Sequence, residues 1–297
     1  MDEKSSSRIQ ILEKFRFYWL LPLASVLVWW SMLVALMGIW AGKGYRIYPD
    51  QNPSSHVPYI SDIAASGIKP LFIACDAVQG VFFVLALMSE RYLRHKGRLA
   101  RNRYTAEKVL SGFAIVFAIA GQIGLLLLSI LDTYRHHHQH IINVGIFVAG
   151  VGLAGFCSFV EFTLLRKKYY ETRWLRFSYV LKGIWFFVAL GLAIAFACLM
   201  HRDDDYAGAV VEWTLGYWYG FFSIVLVFDL LPASKKSQAR ERGQGYLFGM
   251  DSHTQPTPDA GPVRDSSSDA TRYDGSVPQP AAVPLDKRDG MAAHSQF

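Results

Sequence analysis

Six long apolar stretches alternate with shorter polar segments along the chain. A helix needs roughly 20 mostly apolar residues to cross about 30 Å of hydrocarbon, and each stretch is long enough. Their polarity does not alternate residue by residue, as it does in the strands of a membrane β-barrel. The pattern predicts an all-α polytopic membrane protein, a six-transmembrane-helix bundle. The predicted spans are residues 18–41, 71–89, 109–131, 141–165, 177–200 and 210–232.

Two polar segments flank this predicted transmembrane domain of residues 18–232. Residues 1–17 form a short basic lead. Residues 233–297 hold six of the chain's 12 prolines and almost no apolar run. Such a tail cannot bury enough apolar surface to offset the entropy of ordering it. We therefore expect a disordered cytosolic tail.

Composition excludes several classes of protein. The chain is 52% hydrophobic and 18% charged, whereas soluble domains carry about 25% charged residues. An ordinary soluble enzyme and a secreted disulfide scaffold are excluded. The 3 cysteines, Cys75, Cys157 and Cys198, lie inside spans, where a thiol behaves as a small apolar group.

The distribution of Lys and Arg predicts the orientation. Twenty basic residues flank one side of the spans and five flank the other. Because positive loops stay in the cytoplasm, we expect both termini to be cytoplasmic. The net charge of +6 thus indicates membrane topology, and no nucleic-acid partner is expected.

Basic residues beside cytoplasmic helix ends also attract anionic inner-leaflet phospholipids and phosphoinositides, at about 1 kcal/mol each. Topology alone is the alternative explanation for such clusters. The candidate lipid contacts are Arg91, Arg94, Lys96, Arg98, Arg101, Arg103, Arg166, Lys167 and Lys168.

Five charges lie inside the predicted spans, where each costs roughly 2.5–3.5 kcal/mol near the bilayer centre. Glu161, Lys182 and Asp229 lie near the cytoplasmic ends, and we expect them to pair with one another or to reach the interface. Asp76 and Glu212 lie towards the outer ends.

Polar residues near the outer helix ends form a second candidate site. They predict either a pocket for a polar lipid headgroup or a structural network that ties the outer loop to the helices. The members are Tyr59, Ser61, Asp62, Asp76, Gln79, Asp132, His140, Glu212 and Trp213.

A histidine run, residues 136–138, precedes His140 in a predicted nine-residue outer loop. Adjacent imidazoles in a loop do not preset a tetrahedral metal site, so we interpret the run as a solvated turn. No nucleophile–base motif appears. We therefore expect no metal, no cofactor and no catalytic residue.

Local motifs join this layout to a known family. Trp19-Leu-Leu-Pro-Leu opens the first span, Pro58-Tyr-Ile-Ser-Asp lies in the first outer loop, and Asp132-Thr-Tyr-Arg precedes the Gly-rich fourth span. With Glu212-Trp at the sixth span, these motifs resemble the DRAM/Frag/Sfk family of membrane proteins. The long polar tail and the Asp-Thr-x-Arg motif look most similar to fungal Sfk-type members.

The resemblance implies a non-enzymatic plasma-membrane protein that supports phosphoinositide signalling, with a phosphatidylinositol 4-kinase complex as partner, and that maintains phospholipid asymmetry. Two alternatives are a Golgi factor for lipid remodelling of GPI anchors, with acyl-transfer chemistry, and an autophagy-modulating protein of the lysosome or vacuole membrane. A transporter is disfavoured because no paired broken helices appear in the sequence.

Overall fold

A computed structural model describes residues 17–49, 51–52, 55–102, 104–169 and 173–241, excepting the side chains of Lys168 and residues 234–241. Six of the helices in these ranges are long and apolar enough to cross a membrane, which confirms the predicted six-helix class. α2 is a short helix in the first outer loop. The helices are α1 (Leu20–Gly42), α2 (Ile60–Ala64), α3 (Lys69–His95), α4 (Thr105–Ile130), α5 (Thr133–Lys168), α6 (Arg173–His201) and α7 (Asp205–Glu241).

The long helices form a closed ring. α3, α4, α5, α6 and α7 each pack on the preceding long helix, and α7 returns to α1. Large side chains such as Trp29, Leu33, Phe83 and Phe222 fill the centre. We call the end that carries the α3–α4 connection the inner end and the end that carries α2 the outer end.

The connection between α4 and α5 is much shorter than predicted. α5 begins at Thr133, so the predicted nine-residue loop is wrong and the histidine run is helical, with a kink at His136 (φ −137°, ψ 43°). Asp132 caps α5, because its carboxylate accepts a hydrogen bond from the Arg135 N–H at 2.9 Å. An N-cap aspartate satisfies one of the free N–H groups of a first turn, which starts the helix earlier than hydropathy indicates.

The last helix continues past the predicted boundary of the tail. α7 runs through Pro232 to Glu241, so residues 233–241 are helical. A proline inside a helix leaves the carbonyl four residues earlier without its usual donor. That carbonyl, on Phe228, accepts a hydrogen bond of 2.9 Å from the Trp174 indole. Residues 1–16 and 242–297, which carry the rest of the predicted flanks, lie outside the described residues.

Small residues have two different environments in the bundle. A Cβ on Gly150 would lie 2.6 Å from the Cα of Gly121, so these two glycines let α4 and α5 touch backbone to backbone. A Cβ on Gly145 or Gly152 would meet nothing within 4 Å. Glycines of α5 therefore mark a close helix contact at one position and open space at two others.

The α4–α5 contact generates a stability prediction. Gly150→Ala should destabilise the bundle by roughly 1–3 kcal/mol, because the added methyl group overpacks a backbone contact. The matched change Gly145→Ala, on the same helix, should be neutral or should stabilise by up to about 1 kcal/mol through helix propensity. Thermal unfolding of purified protein in micelles measures both. Equal effects of the two substitutions would contradict the close contact.

Candidate functional site

A cluster of buried charges lies in the inner half of the bundle. Glu90 and Arg94 face each other one turn apart on α3, with 2.7 Å between Arg94 Nη2 and Glu90 Oε1. Lys182 Nζ on α6 lies 2.9 Å from Asp229 Oδ2 on α7 and 3.8 Å from Glu90 Oε1. Glu161 of α5 lies 3.6 Å from Arg94 Nε. The cluster thus joins four helices through ion pairs.

Neutral and aromatic groups complete this charge cluster. Ser158 and Ser178 bond Lys182 and Asp229 respectively, and Asn102 donates to Glu161 at 2.8 Å. Lys182 Nζ also lies 3.4 Å from the centroid of the Phe162 ring. Buried charges are tolerated when ion pairs and hydrogen bonds replace their hydration, and this arrangement meets that condition.

The cluster confirms one expectation and corrects another. Lys182 pairs with Asp229 as expected, whereas Glu161 pairs with Arg94. Arg94 was predicted to contact lipid headgroups, but it is 3% exposed and its guanidinium bonds inside the bundle. That assignment is wrong, because the helical spacing of four brings Arg94 back onto the face of Glu90.

The other predicted basic residues have different surroundings. Five are exposed at the inner end. Arg98 is half-buried, with its guanidinium 5.4 Å from the centroid of the Tyr18 ring. Arg103 and the Lys168 side chain lie outside the described residues. The exposed five are Arg91, Lys96, Arg101, Arg166 and Lys167.

At the outer end, hydrogen bonds attach the segment that carries α2 to α7. Glu212 Oε2 accepts from the Ile60 N–H at 2.6 Å, and the Trp213 indole donates to the Pro58 carbonyl at 3.0 Å. We call this attachment the outer latch. It supports the structural interpretation of the outer cluster for Tyr59, Asp62, Glu212 and Trp213.

Tyr59 and Asp62 belong to the same latch. The Tyr59 N–H donates to Asp62 Oδ2 at 3.0 Å, and the Tyr59 hydroxyl donates to Asp205 Oδ1 at 3.4 Å. Burial, with the nearby carboxylates of Asp205 and Glu212, raises the pKa of the Tyr59 phenol. Tyr59 therefore stays a neutral donor at physiological pH.

Asp132 lies apart from the latch. Its second oxygen accepts from Lys69 Nζ at 2.7 Å, which ties the start of α3 to the start of α5. The hydrogen bond from Lys69, together with the Arg135 N–H, holds the pKa of the Asp132 carboxyl below its usual value.

Two predicted members of the outer cluster are instead deep in the ring. Gln79 donates to the Tyr219 hydroxyl, which also accepts from Gln122 at 2.9 Å. Asp76 is 2% exposed, and its carboxylate lies beside the Ser129 hydroxyl of α4. Placing Asp76 and Gln79 in an outward-opening pocket is therefore wrong, because their side chains point into the packed centre.

A cavity of about 590 Å³ lies between α5, α6 and α7. Three predicted outer residues, Ser61, His140 and Glu212, line it, and most of its other walls are apolar. His140 Nδ1 bonds the carbonyls of Leu128 and Leu131 at 3.0 and 2.9 Å. Across the described ranges, no three His, Cys, Asp or Glu side chains converge as a metal site.

Several important residues were not predicted. Glu90 directly follows the predicted second span. It lies four residues before Arg94, and this helical spacing was the sequence signal that could have predicted their ion pair. Lys69 and Tyr219 carried no sequence signal, because their partners are distant in the chain.

Comparison with known proteins gives consistent matches. The family model described as the Frag1/DRAM/Sfk1/Cwh43P N-terminal domain matches residues 17–233. Protein SFK1 of Saccharomyces cerevisiae is 26% identical over 296 residues, covering 78% of this chain and 83% of that protein. Protein sfk1 of Schizosaccharomyces pombe is 30% identical over 220 residues, covering 73% of this chain and 65% of that protein. No solved structure matches.

The charge cluster predicts a large effect of removing one partner. Lys182→Met should destabilise the protein by about 3–5 kcal/mol, because Asp229 and Glu90 lose a buried cation. Adding Asp229→Asn should recover part of the loss, because it removes a stranded carboxylate. Unfolding of purified protein in mixed micelles measures Lys182→Met, Asp229→Asn and the double variant. A double variant that is less stable by the sum of the two single effects would contradict the pairing.

The Lys69–Asp132 pair predicts a pH dependence. Because the folded-state pKa of Asp132 is lowered, its stabilisation is present above the unfolded pKa of about 3.9 and is lost as the pH falls through the folded value. At pH 7, Asp132→Asn should lower stability by up to about 1 kcal/mol, since the pair is partly exposed and Asn remains a good N-cap.

The comparison is made by thermal unfolding from neutral pH towards about pH 3. The difference between the unsubstituted protein and Asp132→Asn should shrink as the pH falls. Asp132→Ala, which also removes the cap, should cost about 1 kcal/mol more at every pH. A difference between Asp and Asn that is independent of pH would show that the ion pair contributes nothing.

Proposed function

Because the chain belongs to the Frag1/DRAM/Sfk1/Cwh43P family, whose model covers the whole six-helix bundle, we propose that this multi-pass membrane protein is a non-enzymatic regulator at the plasma membrane. Its proposed role is to support phosphoinositide signalling through a phosphatidylinositol 4-kinase complex and to maintain phospholipid asymmetry. The similarity to two fungal Sfk1 proteins favours this branch of the family's implied roles.

The observation that carries the proposal is the separation of charges at the inner end. The buried cluster pairs Arg94 and Lys182 with carboxylates inside the bundle. Other basic side chains, among them Arg91, Arg101 and Arg166, remain exposed at that end. The exposed set is therefore available to an anionic membrane surface, at about 1 kcal/mol for each residue.

Such a surface suits a scaffold. Anionic lipid headgroups and the kinase complex would both bind the basic inner end. The chain would thereby hold the kinase at the membrane that contains its lipid substrate, without catalysing a reaction itself. The rigid ion-pair cluster holds the ends of α3, α5, α6 and α7 in register, so the exposed side chains keep a fixed arrangement.

A second candidate function is lipid remodelling of GPI anchors in the Golgi. It is favoured by one feature, the presence of His140 and Glu212 at the polar end of an apolar cavity, because an imidazole and a carboxylate are the usual acid–base groups of acyl transfer. The first function predicts a plasma-membrane location and the second a Golgi location. Deleting the gene should alter phosphoinositides and phospholipid asymmetry in the first case and GPI-anchored proteins in the second.

The proposal predicts a charge-dependent phenotype. Replacing Arg91, Arg101, Arg166 and Lys167 by Gln should lower plasma-membrane phosphatidylinositol 4-phosphate at least about twofold, because roughly 4 kcal/mol of lipid attraction is removed. The matched control replaces four exposed basic residues of the outer end by Gln and should have little effect. The control residues are Lys43, Arg46, Arg135 and Arg202.

Live-cell imaging with a phosphoinositide sensor, together with surface labelling of phosphatidylserine, measures the effect, and a terminal tag reports abundance and location. Steady-state residence in the Golgi or vacuole would overturn the plasma-membrane proposal. Shedding of GPI-anchored proteins on deletion, with normal phosphatidylserine asymmetry, would favour the second candidate.

A further inference from the structure

The cavity between α5, α6 and α7 is elongated along the helices. On α5 its lining extends from His140 to Phe156, which at 1.5 Å per residue is about 24 Å. The hydrocarbon core is about 30 Å thick, so the cavity runs from the outer boundary beyond the middle of the bilayer. Its volume of about 590 Å³ lies within the range of about 300–1,000 Å³ for ligand sites.

Small residues keep this cavity open. Gly152 of α5 and Ala189 and Ala193 of α6 line it, and a Cβ on Gly152 would meet nothing within 4 Å. Ala189 and Ala193 are four residues apart and therefore share one face of the helix. α6 is also the least buried of the six long helices, with 11% of its most apolar segment buried against at least 39% in the others.

Three residues near the outer helix ends contribute hydrogen-bond acceptors to the otherwise apolar lining. His140 Nδ1 bonds two carbonyls, so it carries the proton, and Nε2 of the neutral ring is an acceptor. Glu212 uses one of its oxygens for the Ile60 N–H, and a carboxylate offers about four acceptor positions. Ser61 adds a hydroxyl group.

We propose that this cavity binds one acyl chain of a phospholipid with a primary-amine headgroup, and that Glu212 and His140 hold the ammonium group. The long apolar channel matches a chain, since an unfilled void of this size would lose its dispersion contacts. An ammonium group offers three N–H donors and a positive charge, which suit a carboxylate and an imidazole acceptor. A sterol offers one hydroxyl and no charge, and phosphatidylcholine carries a positive charge but no N–H donor for the two acceptors.

The site assigns a ligand to the proposed role in phospholipid asymmetry, and to that extent it rests on that role. Binding is nevertheless measurable on the purified full-length chain. If the purified protein binds the lipid but cells that lack the protein keep normal phospholipid asymmetry, the proposed function is contradicted and the site is not. If the lipid does not bind, the site is contradicted and the proposed function is not.

The experiment uses the full chain in lipid nanodiscs. They contain phosphatidylethanolamine with a photoactivatable group in the middle of one acyl chain, or phosphatidylcholine with the same chain, or a photoactivatable sterol. Peptide mapping locates the labels. We expect phosphatidylethanolamine to label the cavity-facing peptides of α5 and α6 at least fivefold more than phosphatidylcholine or the sterol.

Substitutions separate the chain site from the headgroup site. Gly152→Leu fills the cavity and should lower cavity labelling at least fivefold, whereas Gly145→Leu, an open position on the same helix, should not change it. In Glu212→Gln, the acyl chain should still label the cavity. The ratio of labelling by phosphatidylethanolamine to labelling by phosphatidylcholine should fall to nearly one. Should Gly152→Leu fail to fold, Ala193→Leu with the control Gly191→Leu makes the same comparison on α6.

Three results would overturn the proposal. The first is uniform labelling of cavity-facing and outward-facing peptides. The second is stronger cavity labelling by the sterol or by phosphatidylcholine. The third is cavity labelling that survives both Gly152→Leu and Ala193→Leu in folded protein.

Discussion

The absence of water in the hydrocarbon core is the constraint on which the rest of this structure depends. Every polar group placed there must find its partner within the protein. α7 shows the result most clearly, because tryptophan indoles of neighbouring helices donate to its carbonyls. Trp29 donates to Gly216 at 2.7 Å, and Trp185 and Trp218 each donate to the other's carbonyl at 3.0 Å. Tryptophan side chains thus join the helices through hydrogen bonds as well as through packing.

The two ends of the bundle meet this constraint in different ways. The inner half buries ions and neutralises them against one another, so that Glu90, Lys182 and Asp229 connect three helices. Within the described residues, the outer half has one ion pair, between Lys69 and Asp132, and otherwise relies on hydrogen bonds such as the one between Glu212 and the Ile60 N–H. A buried network of ion pairs thus joins four helices in the inner half, whereas the outer half combines the outer latch with a cavity.

The six spans follow from the sequence because about 20 consecutive apolar residues have few alternatives to a membrane helix. The cost of burying a lone charge predicts that Lys182 has a carboxylate partner, but it does not select Asp229 over Glu161. The burial of Arg94 does not follow from the sequence. In a cluster of basic residues, the buried members cannot be told from the exposed ones until the helical face of each is known. The cavity could not be predicted from the sequence either. Two glycines only two residues apart have opposite surroundings, because Gly150 lies at a backbone contact and Gly152 faces open space.

The position of Lys182 on α6 has a mechanical consequence. Its ion pairs lie in the inner half of the helix, while Ala189, Ala193 and Phe196 in the outer half face the cavity. α6 is therefore held by ion pairs in its inner half and lines the cavity with apolar side chains in its outer half. A molecule that enters or leaves the cavity breaks none of the Lys182 ion pairs, so the protein can exchange such a guest while the charge cluster of the inner half stays intact.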